Sequence, residues 1–410
     1  MCAVLGRCSD VAGVYTSTAL RMQYGRLRPG PVSFRAFDRQ SRSCPVAPLN
    51  DPVISISTAL ADLPRFDAVI DVRSPAEFAE DHVPGAINCP VLDDLERALV
   101  GTMYKQQGAF EARRVGGALA ARNIARHVEE AFAGHPRKWA PLVYCWRGGQ
   151  RSRAFTHVLR EIGWAALQLE GGYRSYRRSV LEELDRLPHG LAWRVICGRT
   201  GCGKSRLLRE LSARGAQVLD LEAIARHRGS VLGGLPDEPQ PSQKMFESSV
   251  WDALRGFDPS QPVFVEAESK RIGALHVPDA LIARMRAAPT LMIDASVDTR
   301  TRLLIDEYRH LVEDTPRLLA RLECLRALHS GETLARWQSL AEAREWTRFV
   351  ASLLEEHYDA AYDRSMFRNY GSHVDAPVVE LAGVDPASVV AAVERILALP
   401  LAAPTGTEKP

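Results

Sequence analysis

Two glycine-bearing loops, each set between an apolar run and an amphipathic stretch, restrict the fold of this chain more than any other feature. The first is Cys145, Trp146, Arg147, Gly148, Gly149, Gln150 and Arg151, entered from Pro141–Tyr144. The second runs Gly198, Arg199, Thr200, Gly201, Cys202, Gly203, Lys204 and Ser205, entered from Trp193–Cys197. A loop that joins a strand end to a helix start points its backbone N–H groups at one spot. That spot favours negative charge through hydrogen bonding and the helix dipole. Two such loops in succession call for two α/β units, and 410 residues leave room for two or three domains.

The remaining pattern agrees. Val53–Ile56 and Ala68–Val72 read as strands, and Ser74, Pro75 and Glu77 as a capped helix start. A helix is expected over 111–132, a strand at 141–144, a helix at 152–162 and a strand at 167–169. Leu187–Gly190 reads as a linker. Beyond it, strands are expected at 193–197, 217–220, 263–266, 290–294 and 376–381. Helices are expected at 205–214, 242–254, 278–287 and 386–397, and almost unbroken helix from 299 to 362. Strands alternating with helices imply parallel sheets covered on both faces.

Composition closes off several classes. No run approaches the roughly 18 apolar residues of a membrane span. Net charge is +2, so a nucleic-acid partner would need a local patch. Eight cysteines in a chain this long do not suggest a disulfide framework, and none has zinc-site spacing, so no structural metal is expected. A working thiolate suits the reducing cytoplasm. The first fifty residues carry Arg7, Arg21, Arg26, Arg28, Arg35, Arg39 and Arg42 against Asp10 and Asp38, and residues 1–51 read as a disordered extension, as does the tail 401–410.

The cysteine loop suits a carrier or nucleophile. Gly148 and Gly149 let the backbone curl around a ligand, while Arg147 and Arg151 can neutralise an oxyanion. Cys89, Cys197 and Cys324 read as inert buried thiols instead. The spacing of Cys145 and Arg151 also matches cysteine-dependent phosphatases. The second loop fits Gly-x-x-x-x-Gly-Lys-Ser, in which Gly198, Thr200, Gly201 and Gly203 bring amides to phosphates, Lys204 adds charge and Ser205 can reach Mg²⁺. Asp220, Glu266, Glu268 and Asp294 are candidate acids beside it, and none stands out.

Asp71, Arg73, Glu77, His82, Gly85 and Asn88 resemble the early signature of rhodanese-fold domains, and Cys145 falls where their persulfide-carrying cysteine sits. The segments Gly101–Gly108, Gly171–Arg174, Asp220–Ser230 and Glu266–Gly273 extend the match. Together with both loops, they make residues 52–400 resemble the bacterial tRNA 2-selenouridine synthases. The resemblance implies a rhodanese-like parallel-sheet domain (52–186) followed by a P-loop α/β domain (190–400) with a helical C-terminal part (299–362). It implies conversion of wobble 2-thiouridine to 2-selenouridine in tRNA through an S-geranyl intermediate, with geranyl diphosphate and selenophosphate as co-substrates. In that scheme Cys145 receives selenium as a selanyl-sulfide, Arg147 and Arg151 bind the phosphate of selenophosphate, and the phosphate loop holds the departing diphosphate. A selenophosphate-supplying enzyme is a further expected partner.

For the tRNA, residues 145–180 hold seven arginines against Glu161 and Glu170, with Tyr173 and Tyr176 interleaved. Arg174, Arg177 and Arg178, with Arg226 and Arg228 further on, are candidate RNA contacts. The rival readings are a sulfurtransferase with a nucleotide-regulated P-loop domain, a phosphatase using Cys145 and Arg151, and an RNA-binding adaptor.

Overall fold

A computed structural model of the chain describes residues 52–230, 233–235, 238–370 and 376–400. The expected extension 1–51 and tail 401–410 lie outside the described residues. Twelve strands are present among them: β1 (Val53–Ile54), β2 (Ala68–Asp71), β3 (Ile87–Asn88), β4 (Pro141–Tyr144), β5 (Leu167–Leu169), β6 (Ala192–Cys197), β7 (Gln217–Leu219), β8 (Pro262–Glu266), β9 (Arg271–Ile272), β10 (Leu275–His276), β11 (Thr290–Asp294) and β12 (Val378–Glu380). Two five-stranded sheets, ordered β1-β5-β4-β2-β3 and β12-β11-β6-β8-β7, are parallel throughout. β9 and β10 form a separate antiparallel hairpin. The fold class is the one the two loops demand. β4 and β6 are interior strands buried along nearly their whole length, and each delivers its loop at its C-terminal end.

Three local differences from the sequence pattern have physical causes. The first strand stops at Ile54 because Ser55 caps the helix Ile56–Ala61, its side chain accepting from Thr58 N. The expected helix 111–132 is the helix Ala109–His127 running into a wider turn at Val128–Phe132. An unforeseen helix, Asp94–Gln106, precedes it. Its apolar residues Leu95 and Leu99 are exposed and only Val100 packs against the core; a capping box of Asp93 and Glu96 starts it. Leu187–Gly190 is not a loose linker. It continues the helix Gly172–Arg186 as a 3₁₀ turn, and Pro188 O accepts from Trp193 Nε1 at 2.8 Å.

One apolar core runs through both sheet units. Tyr144, Tyr173 and Tyr176 share it with Phe246, Trp251 and Val263, and Tyr176 meets Trp251 edge-on at 5.5 Å. Polar contacts rim this seam: Trp251 Nε1 donates to Glu183 at 2.9 Å, and Lys244 pairs with Glu80 at 2.6 Å. The helical region has its own core around the buried Trp337, with Leu318, Leu322, Leu334, Phe349 and Leu353. No helix of the described residues is long and apolar enough to cross a membrane.

Candidate functional site

At the end of β4, Cys145 is buried with its sulfur facing the start of the helix Gln150–Ile162. Sγ accepts from Gly149 N at 3.3 Å and from Ser152 Oγ at 3.2 Å. Two donors on one sulfur fit a group that carries negative charge. The loop is shaped from outside by the turn after β5. Tyr173 N donates to Cys145 O at 2.8 Å, Arg174 N to Trp146 O at 3.1 Å, and Gln168 Nε2 to Gly148 O. Gly172, at φ +57°, lies so close that a Cβ there would sit 2.2 Å from Cys145 O and 2.5 Å from Gly148 N. Only glycine fits that approach.

Arg151 Nη1 donates to Glu77 at 2.9 Å, and the same carboxylate closes the Ser74 capping box. Burial pushes the Glu77 carboxyl up, but Arg151 and the backbone of Ser74 outweigh it and hold Glu77 below the usual range. Beneath the loop, Arg73 and Asp71 form a buried ion pair, and the Arg73 guanidinium lies 4.0 Å from the centre of the Tyr173 ring. Arg147 is exposed at the loop rim. Arg174 and Arg178 are exposed on the helix Gly172–Arg186, whereas Arg177 turns inward to pair with Glu247 and to reach Lys244 O at 3.2 Å. Arg177 thus joins the two sheet units instead of facing solvent.

Of the cysteines expected to be inert, Cys89 and Cys197 are buried, and burial pushes both thiols up to about 12. Cys324 differs: it is exposed, because the short turn Glu323–Leu325 directs Leu325 inward in its place.

The phosphate loop leaves β6 and enters the helix Lys204–Ala213. Gly203 sits at φ +80°. Lys204 folds back over the loop, donating to Gly198 O at 2.8 Å. Burial opposes its charge, and the fields of Cys202, Tyr362, Glu222 and Glu266 overcome that opposition and hold it protonated above its ordinary range. The helical region braces the loop: Gly198 N donates to Tyr362 Oη at 2.6 Å, and Arg300 Nε donates to Thr200 O at 2.9 Å. Arg300 is buried and paired with Asp359.

The structure separates the candidate acids. Asp294 is exposed at the end of β11, and Asp220 caps the short helix Leu221–Ala225. Glu266 and Glu268 instead come together with Glu222, with one carboxylate oxygen of each within 4.8 Å of the others. Glu222 is the residue sequence reasoning missed as an acid here; it lies on a five-residue helix and accepts from Ser205 Oγ at 3.2 Å. Burial pushes Glu222 up to about 7 and Glu268 up to about 8, and Glu266 well above the carboxylate range, each raised further by neighbouring carboxylates.

Glu222 and Glu268 line an open polar cleft with Gly201, Gly203 and Lys204. Arg228 lines it too, 5.3 Å from the Tyr308 ring centre and 3.7 Å from Glu307, while Arg226 is exposed behind it. The five candidate RNA-contacting arginines are therefore divided among a helix face, a domain seam and this cleft. A second cavity lies against the cleft and shares Thr200, Ser230, Leu304, Tyr308 and Tyr358 with it. Its remaining wall is apolar, with Ile305, Leu311, Trp346, Phe349 and Leu353.

Comparison with known proteins gives two family models: a rhodanese-like domain over residues 57–179, and the tRNA 2-selenouridine synthase AAA domain over residues 191–321. Among curated relatives, the tRNA 2-selenouridine synthase of Nitrosomonas europaea is 38% identical over 63% of this chain and 68% of its own length. That of Alcanivorax borkumensis is 32% identical over 77% of this chain and 93% of its own. That of Bdellovibrio bacteriovorus is 34% identical over 63% and 70%.

Proposed function

Since the chain belongs to the tRNA 2-selenouridine synthase family, we propose that it makes 2-selenouridine at the wobble position of tRNA in two steps, one at each loop. In the first, an allylic diphosphate with a geranyl chain occupies the phosphate-loop cleft. The thiocarbonyl sulfur of 2-thiouridine attacks the allylic carbon, the carbon–oxygen bond breaks, and diphosphate leaves with the electron pair. Lys204 and the loop amides stabilise that charge. The observation that carries this step is the apolar cavity sharing five residues with the polar cleft. A diphosphate head with a hydrocarbon tail fits such a pair of compartments. Beyond the shared residues the wall is apolar, with Ile305, Leu311, Phe349 and Leu353, which suits a hydrocarbon better than a ribose and base.

In the second step the S-geranyl group is displaced by selenium. Selenophosphate carries selenium at the selenide level, and a selanyl-sulfide on Cys145 would be two electrons more oxidised. The balanced route has the Cys145 thiolate attack phosphorus. A sulfur–phosphorus bond forms, the phosphorus–selenium bond breaks, and selenium keeps the pair. Selenium then adds at C2 of the uridine and geranylthiolate leaves. Water hydrolyses the phosphocysteine to phosphate and free thiol. Gly149 N and Ser152 Oγ hold the sulfur for this, with Arg147 and Arg151 beside the phosphate.

The test is mass analysis of nucleosides after incubation with 2-thiouridine tRNA, geranyl diphosphate and selenophosphate. Selenouridine is expected, with S-geranyl-2-thiouridine accumulating when selenophosphate is withheld. Unchanged thiouridine alongside ATP or thiosulfate turnover would transfer the case to a nucleotide-regulated sulfurtransferase.

A further inference from the structure

Beside the cysteine loop, the helices Asp94–Gln106 and Ala109–His127 pack closely enough that a Cβ at Gly116 would meet Val100 Cγ1 at 3.1 Å. The chain reverses between them at Gly108, φ +98°, and the whole tip from Tyr104 to Gly108 is exposed. Two large rings flank the turn: Tyr104 is 57% exposed and Phe110 74%. Two such rings at one turn form a patch, not a stray apolar residue, and a patch asks for an occupant. From 97 to 114 the cations are Arg97, Lys105, Arg113 and Arg114 against one acid, Glu111, which pairs with Arg114 at 2.6 Å.

The helix phase ties this tip to the chemistry. Arg97, Gly101, Tyr104 and Lys105 stand four, seven and eight residues along from the first, the intervals that share one side of a helix. Arg97 Nε lies 4.0 Å from Glu77, the carboxylate that also receives Arg151 at 2.9 Å. Over Gly101 the Arg97 guanidinium comes so near that a Cβ there would sit 3.2 Å from its Nη1. Glycine is unfavourable inside a helix, and at 101 it keeps this side clear. An open track about 10 Å long therefore leads from the edge of the cysteine loop to Tyr104. Leu95 and Leu99, also exposed, fall on the opposite side of the same helix.

The proposed reaction needs such a track. A wobble uridine that presents C2 to Cys145 must leave the stack of the anticodon loop, and its neighbours then lose a stacking partner. We propose that the single-stranded anticodon loop lies on the side of the helix Asp94–Gln106 that bears Arg97, Tyr104 and Lys105, with Phe110 across the turn. Bases next to the modified uridine stack on the two rings, and Arg97 and Lys105 hold the phosphates between them. Single-stranded RNA fits this surface because rings beside cations offer base stacking and phosphate contacts together. The inference rests on the reading that the chain modifies tRNA, but not on a geranyl intermediate.

Fluorescence anisotropy of the full chain with a labelled anticodon stem–loop carrying 2-thiouridine measures the contact. Nucleoside mass analysis measures turnover. Tyr104→Ala and Phe110→Ala should each raise Kd roughly 5- to 30-fold, with circular dichroism unchanged and kcat at saturating tRNA within about twofold of wild type. Tyr104→Phe, which keeps a ring, should bind within about twofold of wild type, as should Leu95→Ala on the far side. Lys105→Ala should reduce the slope of log Kd against log salt by roughly 0.7, the share of one phosphate on a single strand. Unchanged Kd in both folded alanine variants overturns the surface. So does sedimentation showing that either substitution splits a dimer whose loss accounts for the weaker binding, since the patch would then join two copies of this chain. Weaker RNA binding by the variants, with no selenouridine made by the wild type, would keep the surface and remove the selenation reading. Selenouridine made at unchanged KM by both alanine variants would do the reverse, and a wild type that does not bind the stem–loop would remove both.

Discussion

The cysteine loop and the phosphate loop are built alike and surrounded differently. Each leaves an interior parallel strand, turns through glycines and opens a helix. Around Cys145 the neighbours are donors and backbone: Gly149 N, Ser152 Oγ and the turn at Gly172. Around Lys204 they are three carboxylates on one side and an apolar cavity on another. The first setting can hold a small anion against a sulfur. The second can hold a polyphosphate, a counter-ion and a hydrocarbon. The local motif therefore fixes only that an anion is held; the second layer determines which one and what is attached to it.

The strongest way to break this division is to remove one chemical group at a time. Cys145→Ala should lower selenouridine formation on the order of 10³-fold or more, while S-geranylation stays within about twofold, because no atom of the phosphate cleft is touched. Nucleoside mass analysis reads both products in one digest. Loss of both in a folded variant would mean that the two loops act as one site. Next in size, Lys204→Ala should slow geranylation by roughly 10²–10³-fold, the usual cost of removing a charge from a departing anion. Selenation of tRNA supplied already geranylated should continue. If that also failed, Lys204 would belong to the second step as well.

Both loops were legible in the sequence because each needs particular residues at fixed spacing, and so was the parallel α/β fold, because strands and helices alternate. What stayed hidden is what comes from distant segments. Glu222 lies 44 positions from Glu266 and sits on a helix too short for any periodic signal. The apolar cavity is drawn from Leu304, Leu311, Trp346, Phe349 and Leu353, which as a sequence read only as helix core. The arginine excess over 145–180 was visible as charge, but charge does not say which way a side chain turns. Arg177 turns inward to Glu247, and Arg174 and Arg178 turn outward. The helix Asp94–Gln106 was missed although the Asp93 and Glu96 capping box that starts it stands in the sequence.

Glycine replacements sharpen the comparison at the level of the backbone. At Gly172 an added Cβ would meet Cys145 O at 2.2 Å and Gly148 N at 2.5 Å, both main-chain atoms of a loop that cannot yield without losing its shape. At Gly203 the nearest atom is Leu381 Cδ2 at 2.9 Å, the tip of a side chain that can change rotamer. Both positions carry positive φ, so both incur about 1 kcal/mol of left-handed strain. Gly172→Ala should add the clash and destabilise by about 3 kcal/mol or more, and Gly203→Ala should stay near the strain alone. Denaturant midpoints of the two variants measure the difference. Equal losses would show that the cysteine loop is no more tightly held than the phosphate loop.

The smallest effect expected is the most selective for the contents of the phosphate cleft. Trp346 is half-buried at the start of the helix Trp346–Leu353 and lines the apolar cavity but not the polar cleft. Its ring meets Phe349 edge-on at 6.2 Å, so truncation removes cavity wall without touching a phosphate contact. Losing contact with a few methylenes of a bound chain costs about 1–2 kcal/mol, so Trp346→Ala should raise KM for geranyl diphosphate roughly 5- to 30-fold. Affinity for inorganic diphosphate should not change. The C5 analogue dimethylallyl diphosphate, too short to fill the cavity, should be affected less than the C10 substrate. Preference for the longer chain should therefore shrink in the variant. If Trp346→Ala weakened inorganic diphosphate as much as geranyl diphosphate, the cavity would be acting through the loop's shape and not by holding the tail. The contrast between a bare anion site at Cys145 and a two-compartment site at Lys204 would then lose its basis.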